Sequence, residues 1–464
     1  MTLPWIERAR AAPYFVTQTG EAWTPIGQND AIEWVEFAGL VDRRDLASVR
    51  QHLAYLADSG VTCLRFMLEY AEKGGHYFEY PAGRFNPAMI GLWDDLFRLV
   101  EQAGLRILLT PLDTYFHWVC WDRHPYNAAN GGPCTARTRL MVCPDTRDLI
   151  KARLDFAARR WSGSGALFAW DIWNEMHPVQ GEDRPGCFDD YISDVGPFLR
   201  GVEQHAHGRA HLQCVSVFGP ELHWKPWLNE PIFRHKMLDF ANNHFYEEGT
   251  IDHPQDTVAP ARAVGGLVAE ALAEIIDGRP FFDTEHGPIH TFKDHGIILP
   301  EAFDDEYFRH IQWAHLASGG VGGGMRWPNR NPHKLTAGMR KAQRGLADFL
   351  PLVDWPRFRR RILNADLVCD DPEVACFGCG DPAQAVLFLL RQGPLSPDGR
   401  LDPSRHGAVS VRIPGLAPGP YRATLWNTGL GRAAGQVPLA EDGGLHRLDL
   451  PSLGPDIAVA IRPA

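Results

Sequence analysis

The sequence predicts an α/β protein, a (β/α)8 TIM barrel followed by a small C-terminal β-sandwich domain. Three observations carry this. From residue 45 onward, helical hydrophobic patterns alternate with short apolar runs, as in a parallel sheet with crossover helices. With one opening strand between Phe15 and Gly39, these runs make eight strands in about 330 residues, within the range of a barrel with long loops. After about Arg357 the texture changes to short alternating runs between Gly/Pro turns.

The elements follow in order. Residues 45–60 place Leu46, Val49, Leu53 and Leu56 at helical spacing and stop at Gly60; residues 61–68 then read as a strand. Further helix and strand pairs are 87–104 with 105–112, 146–161 with 166–173, and 188–208 with 212–218. A broken segment from Glu230 precedes a strand at 237–245. Residues 261–278 lead to 279–284, 304–318 lead to 319–327, and a last helix spans 335–350. The barrel is therefore expected over residues 1–352. A β-sandwich is expected over 357–464, with strands at 374–377, 385–390, 408–413, 421–426 and 445–450. The junction at 351–361 lacks a flexible Gly/Ser linker, so the two parts are expected to pack together. A doubly wound open sheet is the competing fold, but no G-x-G-x-x-G follows a first strand and there is no P-loop.

Composition narrows the function. Hydrophobic residues make up 45% and charged residues 22%, which places the chain among folded proteins and not disordered ones. The net charge of −11, without a basic block, argues against a nucleic-acid partner. No run approaches the roughly 18 apolar residues of a membrane span. The first fifteen residues hold no apolar signal core, so the expected location is the cytoplasm, with export open if a leader once preceded Met1. Nine cysteines, an odd number spread over a large chain, do not form a secreted disulfide framework. Most are expected to be buried thiols. Cys120, Cys134 and Cys143 share one loop. Cys376 and Cys379 have C-x-x-C spacing, but without a second pair or histidines this is a poor zinc motif.

In such a barrel the chemistry sits where strands end. The fourth strand runs into Trp170-Asp-Ile-Trp-Asn-Glu175 and the seventh into Phe281-Phe-Asp-Thr-Glu285-His-Gly. Each ends in a carboxylate, and strands four and seven are expected to face each other. Glycosidic cleavage needs such a pair, one carboxyl protonated to donate to the leaving oxygen and one ionised to attack or to activate water. The alternative is that each Glu caps a helix or pairs with an arginine. The loop at 114–145, rich in aromatic residues and expected to lack secondary structure, is read as a wall narrowing the cleft. Trp224 and Trp227 after strand five are further candidate sugar platforms.

Five short motifs carry a resemblance: Trp-Asn-Glu at 173–175, Thr-Glu-His-Gly at 284–287, Asn-His-Phe-Tyr at 243–246, Leu-Arg-Phe at 64–66 and Arg-Trp-Pro at 326–328. In this order, over roughly residues 15 to 350, they resemble clan A glycoside hydrolases, most closely family 5, the cellulase and mannanase family. The resemblance implies that Glu175 is the acid/base and Glu285 the nucleophile of a retaining double displacement. It implies that Asn174 bonds the sugar 2-hydroxyl, that Arg65 and Tyr246 hold Glu285 ionised and oriented, that His244 borders Glu175, and that Trp327 is the platform under the sugar. Physically, an arginine lowers the pKa of a neighbouring carboxyl, while an apolar surround such as Trp173 keeps the other carboxyl protonated. Family 5 members present a histidine near the end of strand three; here the chain reads Asp113-Thr-Tyr-Phe-His117-Trp118, and either Asp113 or His117 stands in. The stretch from Tyr421 to Gly429 resembles the ending of small β-domains appended to such barrels, which implies a structural cover or a sugar-binding module.

The expectation is a retaining β-glycoside hydrolase acting on a β-glucoside, β-mannoside or related oligosaccharide, without cofactor or metal. A non-catalytic carbohydrate-binding barrel and a metal-dependent barrel hydrolase are the alternatives. The sequence leaves open the sugar, exo or endo action, and the oligomeric state.

Overall fold

A computed structural model describes residues 2–293 and 297–464. Eight parallel strands form the barrel: β1 (Gly27–Asp30), β2 (Cys63–Met67), β3 (Arg106–Thr110), β4 (Leu167–Asp171), β5 (Leu212–Cys214), β6 (His244–Phe245), β7 (Glu285–His286) and β8 (Met325–Arg326). Their order is β5-β4-β3-β2-β1-β8-β7-β6, and a parallel bridge from Phe218 to His244 closes the ring between β5 and β6. All five residues of β2, β3 and β4 are buried, because helices cover the outside while side chains fill the inside. On this ring β4 and β7 stand three places apart, not opposite as expected.

Local signals place the helices. Asp45 caps the helix Leu46–Asp58 by accepting from Ser48 N–H, and Val49, Leu53 and Leu56 form its buried stripe. Gly60 ends the unit at φ +79°, and a Cβ there would lie 2.7 Å from that of Ala347. Asn86 caps Pro87–Gln102, with proline in the first turn. The helices Pro144–Trp161, Cys187–His207, Ala259–Glu274, Glu301–Ala317 and Ala337–Phe349 follow the predicted segments.

Three features differ from the sequence reading. The paired parts of β6, β7 and β8 are two residues each, and β7 lies just beyond the predicted 279–284. In those earlier residues only Phe281 makes a bridge, to Ala241. An antiparallel meander of Ile6–Arg8, Phe15–Thr17 and Ala22–Trp23 precedes β1 and floors the barrel. The Phe15 ring meets those of Phe168, Phe240 and Phe282 edge-on, with centroids 5.1–6.2 Å away, in place of a polar floor. The 114–145 loop is not bare: it holds the helix Thr114–Val119 and two short 3-10 turns.

The C-terminal part is a sandwich of a six-stranded and a four-stranded antiparallel sheet. The five predicted strands appear as Val374–Gly380, Ala385–Arg391, Gly407–Ile413, Tyr421–Asn427 and Leu445–Leu453; Arg432–Pro438 and Asp456–Pro463 were not anticipated. Leu387, Leu389, Val411, Leu448 and Val459 fill the space between the sheets. The other face of the larger sheet lies on the barrel, where Phe377, Phe388 and Trp426 join the barrel core and Gly265 makes room for Phe377. Arg309 on the helix Glu301–Ala317 donates to Asp456 Oδ2 at 2.5 Å and to Thr428. All nine cysteines are free thiols. Cys376 and Cys379 are three residues apart on one strand, so they point to opposite faces and cannot clasp one ion. No helix among the described residues is long and apolar enough to cross a membrane.

Candidate active site

Register brings the site together. Asn29 on β1 lies beside Arg65 on β2, Glu285 on β7 lies beside His244 on β6, and past the strand ends Asp113 bridges to Asn174. Arg65 is completely buried and needs anions around it. Its Nη1 donates to Asn29 Oδ1 at 2.8 Å and Glu285 Oε2 at 2.9 Å, and its Nη2 donates to Asp171 Oδ2 at 2.7 Å and Asn174 Oδ1 at 2.5 Å. One guanidinium thus ties β1, β2, β4 and β7 together. The Tyr246 hydroxyl donates to Glu285 Oε1 at 2.8 Å, so both oxygens of Glu285 are held.

Glu175 differs. Its backbone is left-handed, φ 49°, a strained conformation for a non-glycine residue, and its N–H donates to Ser216 Oγ at 3.0 Å. Its carboxyl has no cation in contact, and burial raises its pKa to about 7, with Arg65 pulling weakly the other way. The surround supplied by Trp173 is not the cause: that ring packs on His117 and Tyr191 and its Nε1 donates to Thr114. Glu285 departs from expectation too. Burial raises its pKa and Glu175 adds to the rise, while Arg65 and the Tyr246 hydrogen bond restrain it.

His244 Nδ1 lies 2.9 Å from Glu175 Oε1 and 3.7 Å from Glu285 Oε2. Burial lowers its pKa to about 4, so the ring is neutral at pH 7. The Thr284 hydroxyl donates to Asn242 Oδ1 at 2.7 Å, which leaves its oxygen to accept from His244 Nε2 at 3.3 Å. This network assigns the ring proton to Nε2 and leaves Nδ1 to accept the carboxyl proton of Glu175. One oxygen of Glu175 and one of Glu285 lie within 4.8 Å.

These groups form the polar floor of an open cavity, with Asp113, Asn174 and Asn329 beside the two glutamates. Met67, Tyr70, Tyr115, Phe218, Ile289 and Trp327 make the walls. Asp113, not His117, occupies the position after β3. As the cap of Thr114–Val119 it accepts from Tyr115 N–H at 3.0 Å and from Asn174 Nδ2 at 2.7 Å with the same oxygen. Burial raises its pKa well above the usual carboxylate range. Beyond Tyr115 the helix carries the chain away from the cavity. His117 is fully buried against Gln180, Glu69 and His124, and Trp118 is 39% exposed with its edge on His177. Trp224 and Trp227 are exposed and line no part of the cavity.

Sequence reasoning missed Asn29, Asp171, Ser216, Phe218 and Asn329. Ser216 had a signal, as a lone hydroxyl in the apolar run Cys214-Val-Ser-Val-Phe218. Among the described residues, three carboxylate and histidine groups have a geometry able to hold an ion: Glu175 with His244 and Glu285, Glu69 with His117 and His124, and Asp30 with Glu36 and His52. In the first, Arg65 already supplies the positive charge at Glu285, and in the second Arg153 donates to Glu69, so neither donor set suits a metal.

No protein-family model matches the sequence, and no curated protein resembles it at sequence level. Solved structures do match. A glycoside hydrolase family 5 protein from Bacteroides vulgatus ATCC 8482 superposes with a TM-score of 0.58 at 10% identity, over 99% of this chain and 94% of that one. The chain has the fold of family 5 glycoside hydrolases. Another structure described as a glycoside hydrolase gives a TM-score of 0.57 at 12% identity over 100% of this chain and 98% of that one. A family 5 mannosidase from Rhizomucor miehei gives 0.55 at 14% identity, covering 74% of this chain and 98% of that one.

Proposed function

We propose that this chain is a retaining glycoside hydrolase that cleaves β-glycosidic bonds by double displacement. The observation that carries the reading is the approach of Glu175 and Glu285 to within 4.8 Å between oxygens. Retaining pairs sit about 5–5.5 Å apart, whereas an inverting pair needs roughly 6.5–9.5 Å to admit a water. Unequal settings assign the roles. Glu285, gripped by Arg65 and Tyr246, attacks the anomeric carbon. Glu175, without a cation in contact and with a pKa of about 7, gives its proton to the leaving oxygen and then takes one from the incoming water. Asn174 spends one amide hydrogen on Asp113 and turns the other to a sugar hydroxyl beside the reacting carbon, over the face of Trp327.

The sugar is a glucoside, mannoside or close relative; the Rhizomucor mannosidase has been solved with mannosyl-fructose, which supports a manno-configured candidate. A panel of nitrophenyl β-glycosides identifies the sugar, and proton NMR of the first product tests the mechanism. The expected product keeps the β configuration. Inversion would overturn the double displacement.

A further inference from the structure

The cavity is lopsided around the two glutamates. On the β8, β1 and β2 side it is shut: Trp327 meets the edge of Trp34 at 5.3 Å and lies 5.9 Å from Tyr70, which in turn meets Phe116 at 5.0 Å. Trp34, Tyr70 and Phe116 are all buried, so there is no room beyond Trp327 for a second sugar.

The other side holds the leaving group, because its oxygen must come within about 2.6–3.2 Å of the acid Glu175. Glu175 is fixed between Ser216 and His244. Phe218 stands two residues past Ser216 and is bridged to His244, which places it beside the acid. Its ring is half-buried and stacks on Tyr246 at 5.5 Å with planes 25° apart. Ile289, also half-buried, lines the same cavity. The polar side chains that line the cavity among the described residues are largely committed at the sugar end, apart from Asn329, whose Nδ2 is unspent: Asp113 and Asn174 bond one another, and Glu285 is held on both oxygens. A second sugar on the leaving side would lie against Phe218 and Ile289 with the single amide of Asn329 to share among its several hydroxyls, and unpaired polar groups are costly.

We infer that the site takes a single glycosyl residue joined to an apolar leaving group, an alkyl or aryl glycoside and not a polysaccharide, with Phe218 as the platform for that group. The inference rests on the glycosidase reading above.

The experiment uses the full-length protein and the sugar found with the nitrophenyl panel. Values of kcat/KM are measured for the glycosyl fluoride, for alkyl β-glycosides from methyl to octyl, and for the β-linked disaccharide. The alkyl series should climb, by up to about fourfold for each methylene that reaches the wall, and octyl should exceed the disaccharide. Phe218→Ala should lower kcat/KM for octyl about tenfold more than for the fluoride, which has nothing to lay on the ring, and Phe218→Leu should restore most of the difference. A flat alkyl series, a preference for the disaccharide, or equal losses on fluoride and octyl would overturn the inference while leaving the glycosidase reading intact. A wild-type protein that opens no glycosyl fluoride overturns both.

Discussion

Each glutamate is defined by what holds its oxygens, and the variants follow from that. Glu285→Gln should abolish turnover of every substrate, since no other group can form the glycosyl-enzyme. Glu175→Gln should leave the first step on an activated aryl glycoside, and azide should rescue it as a glycosyl azide of retained configuration. A poor leaving group should gain nothing, with a contrast of about 10²–10⁴-fold. Azide rescue of Glu285→Gln alone would reverse the assignment. The pH profile has a stated sign. Glu175 must be protonated, so kcat/KM should fall as pH rises through about 7. His244 Nδ1 accepts from the protonated form and so favours it; His244→Ala should move that fall to lower pH, a shift that mere loosening of the fold would not give.

The helix Thr114–Val119 separates what was legible in the sequence from what was not. Glu175 and Glu285 could be read because each follows an apolar strand at the rim, and Arg65 and Tyr246 because the short motifs around them resemble those of family 5. His117 and Trp118 were misplaced because a six-residue helix inside a presumed loop gives no repeated hydrophobic stripe, yet turns each residue by about 100°. The meander flooring the barrel and the bare lower halves of β6 to β8 escaped for a related reason: two- and three-residue strands are too short to show a period. The cap that starts the helix is testable. Asp113→Ala removes the acceptor of Tyr115 N–H, a loss of about 1 kcal/mol of stability, and also the partner of Asn174, so Tm and kcat/KM should both fall. Asp113→Asn retains an oxygen for the cap and should keep Tm, measured by calorimetry, near that of wild type.

Barrel and sandwich share one apolar core, and the ion pair of Arg309 with Asp456 pins its edge. Burial works to raise the Asp456 pKa, but Arg309 and His310 together hold it well below the usual range. A depressed carboxyl stabilises the fold above its unfolded pKa of about 3.9 and loses that contribution as pH falls through the folded value. Asp456→Asn should therefore lower stability by about 3–5 kcal/mol at neutral pH, and the gap in Tm from wild type should narrow steadily below about pH 4. A chain ending at residue 356 would expose the helix Glu301–Ala317 and should aggregate; a monomeric, fully active truncation would show the two parts to be independent.

The strand order of the sandwich bears on biosynthesis. Asp456–Pro463 is made after Ala385–Arg391 and Tyr421–Asn427, yet it lies between them, in the middle of the six-stranded sheet. Until residue 463 has left the ribosome the sheet is two fragments with open edges, and Arg309 has no carboxylate to meet. The barrel can curl up as it emerges, but the sheet that covers its outer apolar face is whole only once the strand Asp456–Pro463 is in place. Pausing or premature termination before that strand is complete should thus yield a nascent chain that chaperones retain, whereas a destabilising substitution in the exposed edge strand Arg432–Pro438 would be better tolerated.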